Sequence, residues 1–554
     1  MKSRILLAGL GALSLSSSAL AQAPAAAPDF SAEAFRAHVA FLADDLLEGR
    51  EAGTRGYDLA ARYVAAQFAA LGLQPAANGN WYQRVEFLRF TPTGTPQLTI
   101  GGRSFAQGEE VVFRASPSTE ALALDAGLVF AGYGIDAPPQ GFDDYAGLDV
   151  RGKVVVIIAG SPNGTPSDVA AHLNSAKARM AAARGAIGMI VVRSRAEAEA
   201  TPWNRLVTGA RRPGTTWIGR DGQPFDGSGL RFTAYADGAA AAALFQGSRR
   251  SLDQVLNEAA RRGARPRGFA LTRTARVERP AAETSRFASE NVVALLPGTD
   301  PALADEYVLL MAHLDGLGVR EAEAGDTANA DRIRNGAMDN ATGIATLIEV
   351  ARAMSQPGNR PRRPVLIAAV TAEEKGLLGA EFLSRNPIVD GRIVGLVNLD
   401  MPVLTYDFQD VIAFGAEHST LGPIVRRAAA RMNVVLAGDP LPQESLFVRS
   451  DHYKFVLEGV PSVFLMTGFG GAGQERFTSF LRTFYHSPED DIALPFNWAA
   501  GAKFAQLNYL IAREIADGAE APRWYADSFF GTTLARDQQL AQRPAATADR
   551  GGTR

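Results

Sequence analysis

Val365-Leu366-Ile367-Ala368-Ala369-Val370-Thr371-Ala372-Glu373-Glu374-Lys375-Gly376 is a run of six apolar residues followed almost at once by two adjacent carboxylates. The run has the length and composition of a β-strand. Ending it in Glu373-Glu374 brings two like charges to the edge of a core, which is costly unless something of opposite charge compensates them. Neighbouring segments repeat the design. Tyr307 to Ala312 runs straight into His313-Leu314-Asp315-Gly316, and Val394 to Leu399 ends in Asp400. Asp339 precedes Asn340-Ala341-Thr342-Gly343, after which Ile344, Leu347, Ile348 and Ala351 mark a buried helix face, so Asp339 sits in the loop entering that helix. In an open parallel sheet such loops converge at the carboxyl ends of the strands, where ligands bind.

Working outward, the region from about Asn291 alternates strand and helix, the pattern of a parallel sheet with crossovers. Strands are predicted at Val292 to Leu296, Tyr307 to Ala312, Val365 to Val370, Val394 to Leu399, Val411 to Phe414 and Ser462 to Met466. Helices are predicted at Ile344 to Met354, Gly376 to Ser384, Leu421 to Met432 and Asn497 to Ala516. Upstream, Phe35, Val39, Leu42, Leu46 and Leu47 recur at helical spacing, and a second amphipathic helix runs from Tyr57 to Leu71 before Gly72. The charged, glycine-rich loop Gly49-Arg50-Glu51-Ala52-Gly53 joins them. Between about Gln97 and residue 285 the texture changes to short β-type runs (Leu128-Val129-Phe130, Val154 to Ile158, Met189 to Val192) separated by glycine turns, with one helix around Ala170 to Ala183. This reads as a compact β-rich module with few helices and no catalytic constellation.

The expected organisation is therefore residues 1–21 as a signal peptide, 22–96 as the N-terminal part of the main domain, 97–285 as an insertion, 286–535 as the main domain, and 536–554 as a polar tail without structure. The first segment carries Lys2 and Arg4, an apolar core from Ile5 to Leu15, three serines and the small-x-small pattern Ala19-Leu20-Ala21 before Gln22. Its apolar run is shorter than the roughly 18–20 residues that span a bilayer, so cleavage and a periplasmic or secreted location are expected, without stable membrane insertion.

With 554 residues, 47% hydrophobic and 21% charged, the chain has the composition of a multi-domain globular protein. A net charge of −3 with both signs mixed argues against a nucleic-acid partner or a polybasic membrane patch. There is no cysteine. That excludes disulfides, thiolate nucleophiles and thiolate metal sites, so any metal must be held by His, Asp and Glu.

Each feature has a plain structural reading: Asp339 as a helix cap, Glu373-Glu374 as a solvated pair, a lone His as a hydrogen-bonder. Taken together and in order, five segments carry more. Met311-Ala312-His313-Leu314-Asp315, Gly336-Ala337-Met338-Asp339-Asn340-Ala341-Thr342-Gly343, Thr371 to Gly379, Val397-Asn398-Leu399-Asp400-Met401 and Tyr485-His486-Ser487-Pro488-Glu489-Asp490 resemble the motif set of the co-catalytic di-zinc exopeptidases of the bacterial leucyl aminopeptidase and aminopeptidase Y type. Arg449-Ser450-Asp451-His452-Tyr453 with Gly459-Val460-Pro461 matches as well.

The resemblance implies an α/β fold, a mixed, mostly parallel sheet flanked by helices, with a protease-associated domain inserted. It implies two Zn2+ ions, for which Co2+ or Mn2+ can substitute: one held by His313 and Asp400, the other by Glu374 and His486, with Asp339 bridging. It assigns Glu373 the role of general base and Tyr485 that of a hydrogen-bond donor to the developing oxyanion. Asp315 is expected to orient the His313 ring, Asp490 that of His486, and Arg449 to meet substrate. His38, His172 and His418 read as structural, and His452 is assigned no metal. The expected activity is removal of N-terminal residues from peptides. The alternatives are a metallocarboxypeptidase, a glutaminyl cyclase-like relative, or a receptor-like relative without catalysis.

Overall fold

A computed structural model describes residues 28–323 and 325–544. The expected signal segment, 1–21, and the end of the tail, 545–554, lie outside the described residues. The main sheet is built from β1 (Tyr82–Thr91), β2 (Gly214–Trp217), β3 (Glu283–Leu296), β4 (Glu306–His313), β5 (Val365–Val370), β6 (Arg392–Leu399), β7 (Asp410–Phe414), β8 (Val435–Ala437) and β9 (Ser462–Thr467), in the spatial order β2-β1-β3-β5-β4-β6-β9-β7-β8. The centre is parallel: β4 lies between β5 and β6, and β6 pairs with β9. Antiparallel strands flank it, β3 against β5 on one side and β7 against β9 on the other. The mixed α/β sheet expected from the sequence is therefore present.

The interiors of its central strands are almost wholly apolar because both faces are covered, with Asn398 of β6 the exception. Side chains alternate, so Val308, Leu310 and Ala312 join one core while Leu309 and Met311 join another. The first core receives helices α1 (Ala32–Leu42), α2 (Arg55–Ala70), α4 (Thr342–Ser355) and α7 (Trp498–Ala516); the second receives α5 (Leu378–Arg385) and α6 (His452–Leu457). Helix α4 is buried except at Arg352 and Ser355; its few buried polar groups are satisfied locally, Thr342 and Thr346 by carbonyls one turn back and Glu349 by Arg352. It approaches the sheet closely because residue 343 is glycine. A Cβ there would lie 2.6 Å from the Leu399 carbonyl oxygen. That approach brings the loop before α4 to the end of β6.

The inserted segment forms its own eight-stranded sheet, with α3 (Ser167–Ala183) packed on it. The expectation of few helices needs correction. Four more are present, Arg195–Ala200, Trp203–Arg211, Gly238–Phe245 and Leu252–Ala259. Their length hides them from periodicity, yet three have side-chain caps at Ser194, Asp237 and Ser251, the last with Gln254 in a capping box. The insertion also reaches back into the main sheet. Strand β2 leaves the module and pairs antiparallel with β1, Thr216 opposite Leu88. The boundary expected at 285/286 falls inside β3, which starts at Glu283 and pairs with β1 along its outer half.

Two smaller expectations also change. Helix α1 stops at Leu42, and Leu46, placed on its apolar face by spacing, is 82% exposed. Residues 536–544 of the expected tail pack on the main domain: Ala541 bridges Tyr525, and Arg543 pairs with Asp527 at 2.7 Å.

Candidate metal centre

Register places the predicted residues side by side. His313 closes β4 opposite Val370 of β5, and Met311 lies opposite Asn398 of β6. Two residues further on, His313 and Asp400 leave the sheet together, while Glu373 and Glu374 follow the end of β5. His313 Nε2 lies 3.1 Å from Asp339 Oδ1 and 3.2 Å from Asp400 Oδ1. His486 Nε2 lies 3.4 Å from Asp339 Oδ2 and 3.4 Å from Glu374 Oε2. The five residues thus form two triads, His313–Asp339–Asp400 and Asp339–Glu374–His486, each with its donor atoms within 4.8 Å of one another. Asp339 belongs to both and turns one oxygen toward each. Side-chain exposure is 1% for His313 and 38% for His486, so the centre opens to solvent on the His486 side.

The backbone here is strained. Ala372, Met401 and His486 have φ of 54°, 46° and 60°, a left-handed region that residues with a Cβ rarely enter. Such outliers persist only where surrounding contacts hold them, and they cluster at functional sites. Asn340 is one such contact. Its amide donates to the Leu399 carbonyl at 2.9 Å, and its oxygen accepts from the Gly343 and Met401 N–H groups at 3.0 and 3.2 Å, tying the Asp339 loop to the end of β6.

The two outer aspartates do something other than expected. The carboxylate of Asp315 accepts the N–H groups of Glu373 and Glu374 at 3.0 and 3.3 Å, while the His313 ring faces the backbone carbonyl of Asp315 through Nδ1 at 3.1 Å. The carboxylate of Asp490 accepts from Met338 and Asp339 N–H at 2.8 and 3.0 Å and does not orient His486. Both acids hold the backbone of loops that carry candidate ligands, because the free N–H groups of those turns need acceptors once buried.

Three contributors escaped the sequence reading. Arg50, 1% exposed, pairs with no carboxylate among the described residues and instead donates to the carbonyls of Leu314, Leu42, Asn335 and Gly336. It ties the turn after His313 to the turn before Asp339. Ser450 donates to Asp400 Oδ2 at 2.6 Å and accepts from Asn398 at 2.8 Å. Asp451 is wholly buried, and neither of its oxygens has a partner among the described residues. Glycines flanking the loop of Arg50, and the segment containing Ser450 and Asp451, were visible signals, but nothing local distinguishes a buried arginine from a solvated one.

Burial and crowding of the acids make this centre one that cations would stabilise. Burial raises Glu373 and Glu374 well above the carboxylate range, reinforced by Asp451 and Asp400 for the first and by Asp339 for the second. Burial, then Asp400 and Asp315, pushes Asp451 up to about 8; burial, then Asp339, pushes Asp490 up to about 7. Burial opposes charge on His313, yet Asp400, Glu373 and Asp339 raise its pKa well above the usual value. Burial also disfavours an ionised Asp339, but hydrogen bonds from both imidazoles outweigh it and keep this carboxylate far below its ordinary range. Two imidazoles and three carboxylates arranged as two triads with a shared member are a donor set that fits two divalent cations, zinc first among them.

Tyr485 stacks on His486 with ring centroids 3.7 Å apart, and burial and the neighbouring carboxylates hold its hydroxyl protonated. Arg449 is exposed and paired with Glu444 at 3.2 Å. His38 and His172 bond the hydroxyls of Tyr63 and Tyr453, both at 2.8 Å. His452 is buried between Phe447 and Phe464, and burial lowers its pKa to about 3, so its ring is neutral. His418 lies with Glu417 beside Asp168 of α3, where the insertion meets the main domain; these three also bring ligand-type atoms within 4.8 Å of one another.

Residues 291–511 match the model of Peptidase family M28, and residues 119–218 match that of the PA domain. Among curated proteins, a probable zinc metalloprotease of Pyrenophora teres f. teres is 32% identical over 114 residues, 20% of this chain and 22% of that protein. A vacuolar membrane protease of Pyricularia oryzae is 29% identical over 111 residues, 19% of this chain and 11% of its own length. The matches thus span less than a quarter of either relative. Among solved structures, an aminopeptidase from Aneurinibacillus sp. strain AM-1 aligns over 88% of this chain and 94% of its own, with 21% identity and a TM-score of 0.47. A zinc aminopeptidase from Bacillus subtilis aligns over 90% and 98%, with 18% identity and a TM-score of 0.42.

Proposed function

We propose that this chain, whose residues 291–511 belong to Peptidase family M28 and whose insertion carries a PA domain, is an exported zinc exopeptidase that removes N-terminal residues from peptides. The observation that supports this most is the division of Asp339 between two His–carboxylate pairs, with the second acid of the Glu373-Glu374 pair in one of them. His313, Asp400 and Asp339 Oδ1 would hold one zinc ion; Glu374, His486 and Asp339 Oδ2 would hold the other. When bound, zinc supplies Lewis-acid polarisation of the scissile carbonyl and makes water acidic enough to react near neutral pH.

The chain's own residues do the rest. Glu373 sits next to a ligand but belongs to neither triad, and its backbone N–H is anchored by Asp315. It takes a proton from the attacking water and returns it to the leaving amine. The Tyr485 hydroxyl, kept protonated by its surroundings, donates to the carbonyl oxygen as negative charge develops there. Ser450 fixes the carboxylate plane of Asp400, and Asp490 fixes the backbone of Asp339. Among the described residues no helix is long and apolar enough to cross a membrane. Export rests on residues 1–21.

The test is Glu373→Gln assayed on aminoacyl nitroanilides beside N-blocked peptides. The variant should keep its metal content and lose about 100- to 10,000-fold in turnover, the range for a lost general base. Turnover within about tenfold of the parent enzyme would remove Glu373 from that role. Hydrolysis of N-blocked peptides in preference to free N termini would replace the aminopeptidase reading.

A further inference from the structure

Between the inserted module and the main domain lies a cleft of about 1590 Å3. It exceeds the roughly 300–1,000 Å3 of small-molecule pockets and has room for a stretch of chain. Nine cationic side chains and four carboxylates line it, in a protein whose net charge is −3. Six of those cations, Arg114, Lys177, Arg179, Arg231, Arg279 and Arg286, have no carboxylate within 4.0 Å among the described residues. The other three are neutralised locally: Lys375 by Glu51, Lys454 by Glu381 and Arg385 by Glu458. What sets the cleft apart is the excess of nine cations over four carboxylates on its wall.

Two of the six are buried: Lys177, 4% exposed, whose ammonium donates to the Ile158 and Gly160 carbonyls, and Arg279, 8% exposed. The Arg279 side chain donates only to the Pro280 carbonyl, at 3.2 Å, and its Nε–H has no partner. A buried guanidinium with unused donors is costly, and an incoming carboxylate is the group whose geometry satisfies it. The wall approaches the metal centre: Lys375 and Gly376 follow Glu374 in its loop, and Tyr453 and Lys454 stand in the first turn of α6, just after the buried Asp451.

We infer that this cleft binds acid-rich peptide segments, and that it takes the part of a substrate lying downstream of the cleaved bond; the second clause rests on the peptidase reading, the first does not. Arginine forks recognise carboxylates in pairs, and a cationic cleft with low-dielectric walls concentrates acidic peptides. The four carboxylates among the cations suit a chain that alternates acids with neutral amides. They would repel the unbroken charge of a phosphate backbone.

Binding is measured on the full zinc-loaded protein by fluorescence anisotropy. The probe is an N-acetylated decapeptide carrying glutamates in its second half, which an aminopeptidase cannot process. The same peptide with lysines in their place should bind at least about tenfold more weakly, and added salt should weaken the acidic one. Replacing the exposed residues Arg114, Arg231 and Arg286 together by serine should lower its affinity about tenfold and leave turnover of a short aminoacyl nitroanilide unchanged. With unblocked peptides the same variant should raise KM for acidic tails and not for neutral ones. Equal binding of the glutamate and lysine peptides, or undiminished binding by the triple variant, overturns the inference. Tighter binding of a single-stranded oligonucleotide of equal charge does so too. A protein that binds the acetylated acidic peptide but cleaves no substrate would instead count against the peptidase reading alone.

Discussion

Chelation should make this protein's stability fall as pH rises. Removing divalent cations leaves Asp339, Glu373, Glu374, Asp400, Asp451 and Asp490 facing one another, with Arg50 committed to carbonyls. In that state burial and neighbouring acids place Asp490 at about 7 and Asp451 at about 8, whereas an unfolded chain loses the same protons near about 3.9. A raised carboxylate pKa means that the folded state keeps a proton the unfolded state has released, so the associated stability is present at low pH and is lost between about pH 4 and about pH 8. His313 acts in the same direction, because its raised pKa contributes stability below the unfolded value and loses it as pH climbs through the folded one. The depressed pKa of Asp339 runs the other way but matters only below about pH 4.

At about 1.36 kcal/mol per proton per pH unit, Asp490 loses nearly 3 kcal/mol and Asp451 about 4 kcal/mol between about pH 5 and about pH 8. Water entering the metal-free centre should halve the sum, leaving about 3 kcal/mol and a Tm lower by about 3–6 °C at the higher pH. The assay is a thermal melt of EDTA-treated protein at both pH values, repeated after zinc is restored. Zinc should abolish or reverse the trend, since ligands must be deprotonated to bind it. A metal-free Tm that is equal or higher at the higher pH would refute the electrostatic account of this centre.

Asp339→Ala should lose metal from both triads, and elemental analysis finding two equivalents still bound would rule out the shared role. Ser450→Ala removes the hydroxyl bonded to Asp400 and should weaken zinc binding about 10- to 100-fold, read by competition with a chelator. Arg50→Met strips donors from four buried carbonyls and should cost about 3–5 kcal/mol in urea unfolding; a loss under about 1 kcal/mol would show those carbonyls satisfied by other means.

The main sheet was readable because a strand covered on both faces has to be apolar along its length, and that is a local property. Val365–Val370 is found at the bounds the residues predict. His313, Glu373-Glu374 and Asp400 were conspicuous because each follows such a strand. The four extra helices of the insertion were missed since six to nine residues hold too few turns for periodicity to register. What the chain alone could not show is who holds the loops. Arg50 bonds Leu314 and Gly336 from 264 and 286 residues away, and Asp490 reaches Asp339 across 151. The corrected partners of Asp315 and Asp490, the unpaired arginines of the cleft and the strand lent by the insertion to the main sheet are all of this kind. Apolar patterning is written residue by residue. The partner of a buried charge is settled only when folding removes water and leaves each polar group to whatever neighbour the tertiary structure has placed within reach.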